Sequence, residues 1–366
     1  MSAELFRPTS IERLSEMLAT ASREGRSVGI RGAGSKESWG SAGADVDAVI
    51  STRGLDRVVE HAAGDLVVTV EAGVALGDVQ RTVAEAGQWL ALDPPEPGAT
   101  VGGVVATAAS GPRRLRYGTP RDLLIGITVV LADGTVARSG GKVVKNVAGY
   151  DLGKLFTGSF GTLGVVAECT FRLHPRQPAL RAVAVATSDP AGCFAALRAT
   201  GAEPSAAEFD GATLTAVFES IESAADEQAR LAAAAVGGEV RASLPAGFGA
   251  RPWDASSVGL KVTHRLGSLG SALRAVAEAF PPARVRAHVG SGGVLVGVDR
   301  LEVSSLASLR SSISGLDGQV VVASAPDEVK RELDVWGPVR GLAVMQRIKE
   351  QFDPEGRMCP GRFVVR

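Results

Sequence analysis

The sequence predicts an α+β protein of two domains. Its 366 residues exceed what one hydrophobic core ordinarily serves. Short strand-like and helix-like segments alternate as far as Pro178, and an Ala-, Ser- and Gly-rich stretch of looser texture follows. These features divide the chain into 1–178, 179–335, and a C-terminal helix and tail at 336–366.

The elements follow in order. Pro8-Thr9-Ser10 precedes a helix that runs to Gly25, with Ile11, Leu14, Met17, Leu18 and Ala21 at helical spacing. Residues 27–30 read as a short strand, 45–51 and 66–70 as two more, and 76–86 as a helix with Leu76, Val79 and Val83 on one face. Three prolines in 93–98 make a rigid connector. Thr100 to Ser110 reads as a helix rich in small residues, and Leu123 to Ala137 as a hairpin turning at Ala132-Asp133-Gly134. In the second domain, helices are expected near 191–200 and 221–235, and strands at 214–218, 259–263 and 293–298. A last helix covers 344–352.

Composition excludes several classes. Hydrophobic residues make up 45% of the chain and charged ones 22%, which describes a globular protein rather than a disordered one. A net charge of −1 offers no electrostatic footprint for nucleic acid. No run reaches the ~18–20 apolar residues of a membrane span, and the first residues lack the apolar centre of a signal peptide. An intracellular protein without its own membrane anchor is therefore expected. The three cysteines and four histidines are scattered, with no Cys-x-x-Cys, so no disulfide framework and no metal site is expected.

Glycine carries the functional signal. Arg31-Gly32-Ala33-Gly34-Ser35-Lys36 follows a strand, where successive backbone N–H groups can form an anion-binding nest. The spacing is not that of a dinucleotide fingerprint, because Glu37 stands where its third glycine would be. A second cluster, Gly98-Ala99-Thr100-Val101-Gly102-Gly103 with Ala106, offers small side chains against which a flat ring system could lie. The third, Gly141 to Gly164, holds six glycines and three lysines in 24 residues and runs into the strand Val165-Val166-Ala167. Three such clusters in half a chain point to a large bound cofactor, a flavin above others. Arg113, Arg114 and Arg116 form a basic group that reads either as a solvated loop or as a clamp for a carboxylate or an acidic partner.

Arg121-Asp122-Leu123-Leu124-Ile125-Gly126, Lys145-Asn146-Val147-Ala148-Gly149-Tyr150-Asp151 and Gly158-Ser159-Phe160-Gly161-Thr162-Leu163-Gly164 resemble one flavoprotein superfamily. It is that of vanillyl-alcohol oxidase and p-cresol methylhydroxylase; within it the chain looks like the FAD-binding subunits of bacterial glycolate oxidases. The resemblance covers 5–178, is poor over 180–340, and returns at the tail with Pro360-Gly361-Arg362. It implies a two-subdomain FAD-binding domain of the p-cresol methylhydroxylase type, rejoined by the tail, and a smaller α+β cap domain. It further implies that Arg31 to Lys36 hold the pyrophosphate. Pro94, Gly98 to Gly103 and Ala106 would line the isoalloxazine side, and Gly161, Gly164, Val165 and Val166 the adenosine side.

Two departures matter. Covalent relatives often carry histidine after the first glycine loop; Ser35 stands here, so non-covalent FAD is expected. The catalytic relatives carry a His- and Asp-rich motif in the cap, whereas this chain has His288-Val289-Gly290-Ser291-Gly292-Gly293. Lys145 and His288 are the candidates left for catalysis. The resemblance thus implies an FAD-carrying subunit that works on a small 2-hydroxy acid beside a sister catalytic flavoprotein subunit and an iron–sulfur subunit. Such a complex would be cytoplasmic, with any hold on the membrane face made through partners. A stand-alone 2-hydroxy-acid dehydrogenase, and an assembly subunit with a vestigial FAD site, stay open as alternatives.

Overall fold

A computed structural model of the chain describes residues 3–141 and 150–365. The first strands are β1 (Glu4–Phe6), β2 (Val28–Arg31) and β3 (Ala48–Ser51), which form a parallel sheet in the order β1-β3-β2. Helix α1 (Ile11–Arg23) links β1 to β2, and the Ser10 hydroxyl caps it by accepting from the Arg13 N–H at 3.2 Å. Its buried Leu14, Leu18 and Ala21 share a core with Val28, Ile50, Val130 and Val165.

Next come β4 (Val58–Ala62), β5 (Val67–Glu71), β6 (Gln88–Trp89), β7 (Leu124–Val130), β8 (Val136–Gly140), β9 (Val165–Arg172) and β10 (His174–Pro175). β6 pairs only with β10; the others form an antiparallel sheet ordered β4-β5-β9-β7-β8. Because Val130 and Val165 belong to this second sheet, one apolar core joins it to the parallel one. Between the strands lie α2 (Leu76–Ala84), α3 (Val101–Thr107), α4 (Arg114–Tyr117), α5 (Pro120–Leu123) and α6 (Leu152–Phe156). Helix α3 is shorter than the small-residue run suggests, since Ala108 turns left-handed at φ 49 and ends it.

An eight-stranded antiparallel sheet makes the second unit: β11 (Ala179–Ala186), β12 (Ala206–Phe209), β13 (Thr213–Ser220), β14 (Glu239–Arg241), β15 (Val258–Thr263), β16 (Arg284–His288), β17 (Gly293–Val298) and β18 (Gln319–Ser324). The order is β14-β11-β13-β12-β16-β17-β15-β18. Helices α7 (Pro190–Ala199), α8 (Glu222–Val236), α9 (Leu269–Ala279) and α10 (Val303–Ser314) bury apolar side chains against one face of it. A short α11 (Asp327–Arg331) follows, and α12 (Leu342–Phe352) leads into the tail.

By contacts the first unit is Met1–Ser110, Thr119–Arg176 and Val339–Arg366, and the second is Gly111–Gly118 with Gln177–Pro338. Residues 111–118, which sequence order alone assigns to the first unit, pack with the second. Arg113 pairs with Glu219 of β13 at 2.8 Å, and Arg116 donates to the Glu219 carbonyl at 3.1 Å. The basic group is thus partly spent on an internal clamp.

Candidate cofactor-binding site

A cleft enclosing about 1200 Å³, its open mouth included, runs through the first unit. It is lined by the loop after β2, residues 42–49, one side of α3, the turn before β9 and the tail at 359–362.

The parallel pairing of β2 with β3 delivers Arg31 to the mouth of the cleft, and the chain then turns. Gly34 takes φ +79, a conformation costly for other residues, and its carbonyl accepts from the Glu37 N–H at 3.2 Å. The N–H groups of Ala33, Gly34 and Ser35 make no hydrogen bond to any described residue. Arg31 pairs with the Glu37 carboxylate, and both side chains are about half exposed (50% and 53%). Lys36 turns inward instead. Its ammonium lies 3.4 Å from the Glu96 carboxylate, both side chains buried, and its carbonyl accepts from Arg362 Nη2 at 3.0 Å.

The second cluster meets the first at Thr100. A Cβ on Gly32 would come within 2.2 Å of the Thr100 hydroxyl oxygen, so the two segments touch only because residue 32 is glycine. A Cβ on Gly102 would sit 2.7 Å from that of Ala72, and the Val101 and Gly102 N–H groups donate to the carbonyls of Val74 (2.9 Å) and Ala72 (2.8 Å). The start of α3 is thereby fastened to the strand region behind it. The Thr100 hydroxyl is buried, lines the cleft and has no hydrogen-bond partner among the described residues. Such a group costs about 1–3 kcal/mol unless a ligand satisfies it.

Opposite lies the turn from Phe160 to Gly164, held by the tail. Lys349 of α12 reaches in, buried, and donates to the carbonyls of Thr162 (2.9 Å) and Met358 (3.3 Å) and to the Asp353 carboxylate. Asp353 in turn accepts from the N–H groups of Arg357 (3.0 Å) and Met358 (2.7 Å). Phe160 and Phe363 stack at 5.6 Å.

Of the residues expected at the cofactor, Arg31, Gly32, Ala33, Gly34, Ser35, Lys36, Thr100, Gly102, Gly103, Ala106, Gly161, Gly164 and Val166 line this cleft. Ala99, Val101 and Val165 are buried core residues outside the lining. Pro94 and Gly98 stay on the connector, Gly98 exposed. Lys145 falls outside the described residues. His288 lies on β16 of the second unit, buried, and burial with the nearby Arg114 and Lys261 charges pushes its imidazole down to about 3. It is neutral at physiological pH and a weak base.

The cleft also uses Glu37, Ala44, Phe160, Cys359 and Arg362, none of them singled out from sequence for contact with the cofactor. Of these, Phe160 and Arg362 lie in segments that carry the family resemblance. Burial pushes the Cys359 thiol up, which removes it from thiolate chemistry. Among the described residues no three His, Cys, Asp or Glu side chains converge as metal ligands would, and no helix is long and apolar enough to cross a membrane.

The donor set fits FAD: unpaired backbone N–H groups on a glycine turn, a buried hydroxyl in need of a partner, and a wall of small side chains at Gly103 and Ala106. Comparison with known proteins agrees. Residues 3–140 match the family described as FAD binding domain. The glycolate oxidase subunit GlcD of Bacillus subtilis is 36% identical over 173 residues, 46% of this chain and 36% of that protein. The subunit GlcE of Escherichia coli is 41% identical over 121 residues, 32% of this chain and 35% of the relative. A D-lactate dehydrogenase of Archaeoglobus fulgidus is 36% identical over 184 residues, 50% and 41% of the two chains. This chain therefore matches well under half the length of each. Two solved structures of alkyldihydroxyacetonephosphate synthase share the fold at TM-score 0.69 and 14% identity, covering 97% of this chain and 76% and 75% of theirs. The first part of this chain, over residues 3–140, is an FAD-binding domain of the p-cresol methylhydroxylase type.

Proposed function

We propose that this chain is the FAD-carrying subunit of a 2-hydroxy-acid dehydrogenase of the glycolate oxidase kind. It would support oxidation of glycolate or D-lactate to the 2-oxo acid, with electrons passed to a sister flavoprotein subunit and an iron–sulfur subunit. The observation that carries the reading is the cleft itself, where the first two glycine segments meet at an unsatisfied buried hydroxyl. Bound FAD supplies the hydride acceptor. The chain's own part is to hold it: the N–H groups of Ala33, Gly34 and Ser35 would take the pyrophosphate oxygens, and Thr100 would supply one hydrogen bond. Gly103 and Ala106 leave room for the ring, and the Lys349 clamp keeps the 160–164 turn closed against the tail. Ser35 in the first loop favours a flavin held without a covalent bond. The names of the GlcD and GlcE relatives support a multi-subunit setting.

The Archaeoglobus relative, named as a D-lactate dehydrogenase, favours a second reading in which the chain oxidises the acid itself. Anaerobic addition of glycolate or D-lactate to the FAD-loaded chain separates the two. A flavin band that stays oxidised until partner subunits are added supports the first reading. Bleaching by the chain alone overturns it in favour of the second.

A further inference from the structure

Buried charges in the first unit mostly have a structural duty. Lys349 and Asp353 hold the tail, and Glu71 accepts from the exposed Arg57 at 2.8 Å. Lys36 and Glu96 pair with each other instead, the ammonium 3.4 Å from the carboxylate and the side chains 6% and 2% exposed. A pair this dry is weak evidence for stability, because desolvating both charges offsets their attraction. Its place beside the cofactor cleft matters more.

Lys36 lines the cleft and Glu96 does not, so the positive end of the pair is the nearer one. Both charges are held in place. Glu96 sits between Pro95 and Pro97, whose rings stiffen the backbone, and its carbonyl accepts from the Ala99 N–H at 3.4 Å. The Lys36 carbonyl accepts from the Trp39 N–H at 3.1 Å and from Arg362 Nη2 at 3.0 Å. The Lys36 ammonium also lies 6.0 Å from the centre of the buried Trp39 ring, within cation–π range. Arg31 and Glu37 on the same loop are half exposed, so water and salt screen them.

Resting on the FAD reading, we propose that Lys36 raises the reduction potential of the bound flavin and that Glu96 holds this effect in check. A two-electron, one-proton reduction in this cleft adds one negative charge. The electron pair and that proton come from the 2-hydroxy acid of the proposed reaction, which loses its second proton to solvent and leaves as the 2-oxo acid. A fixed, dry cation at the wall favours the added charge and needs no rearrangement to do so. Glu96 opposes it from behind Lys36, so the net effect of the pair on the cleft is that of a weakened cation.

The test is the midpoint potential of the full FAD-loaded chain at pH 7, read by dithionite titration against a reference dye with no substrate present. Lys36→Met is expected to lower the ratio of reduced to oxidised flavin at a fixed potential at least tenfold, a fall of about 30 mV for a two-electron couple. Lys36→Arg, which keeps the charge, should restore most of that fall, and Glu96→Gln should shift the potential upward. Where a lone buried charge keeps a single variant from folding, the K36M/E96Q chain buries none, and its potential should still lie below that of the wild type. A flavin-loaded chain whose potential ignores K36M or the double change, falls equally in K36R, or drops in E96Q overturns the inference and leaves the FAD reading standing. A wild type that takes up no flavin overturns both.

Discussion

Thr100 shows how a single side chain ties structure to ligand. Its hydroxyl fills the space left by Gly32 and yet finds no partner, so removing it should cost the fold nothing. Thr100→Val is expected to leave the melting temperature unchanged or slightly raised and to weaken FAD binding several-fold, read by flavin fluorescence quenching. Glu37 acts with the opposite sign. It holds the Arg31 guanidinium and adds a negative charge beside the proposed pyrophosphate loop. Glu37→Gln should tighten FAD binding about fivefold, the effect of removing a repulsion of roughly 1 kcal/mol at a solvated distance. Lys261 offers a pH-dependent check. Its amine titrates near 8 in the folded chain against its usual 10.5, so between those values the unfolded state binds more protons. Wild-type stability should therefore gain from Lys261 a rise with pH across that window. Lys261→Met should remove that rise and raise the melting temperature at pH 7.

At the level of elements, glycines that look alike in sequence have different duties. Gly102 permits α3 to lie against Ala72, so Gly102→Ala should cost about 1–3 kcal/mol through overpacking, whatever becomes of the flavin. Ala106 borders the cleft from the same helix; Ala106→Phe should abolish flavin uptake while leaving the melt of the apoprotein nearly in place. The Lys349 clamp spans three segments, and Lys349→Met, which strands a buried carboxylate, should cost about 3–5 kcal/mol in a denaturant titration. Sequence made α1 legible because its apolar spacing and its Ser10 cap agree. It did not reveal α10, whose inward Leu306, Leu309 and Ile313 are separated by serines with little helical preference. Nor could it reveal the clamp, since Lys349 and Thr162 are 187 residues apart and the bond runs to a backbone carbonyl.

On the scale of the whole molecule, the first glycine loop, part of the second cluster and the end of the third stood out in the sequence, and the structure brings them to one cleft. Each is a local departure from ordinary composition. What was not readable is which members face the cleft: Ala99, Val101 and Val165 sit in the same runs yet point into the core, a matter of strand and helix phase. The excursion of 111–118 into the second unit was equally hidden, because the Arg113–Glu219 pair joins residues 106 positions apart. The second unit carried little motif, and the pairing of β12 with β16 joins strands too far apart in the sequence to be read from it.

The most direct measurement is the absorbance spectrum of the purified chain after incubation with FAD and removal of the excess, followed by acid precipitation. A flavin band near one equivalent per chain that moves wholly into the acid supernatant is the predicted result. A chain that stays colourless would contradict the assignment of the cleft to FAD, and a flavin that precipitates with the polypeptide would contradict its non-covalent attachment.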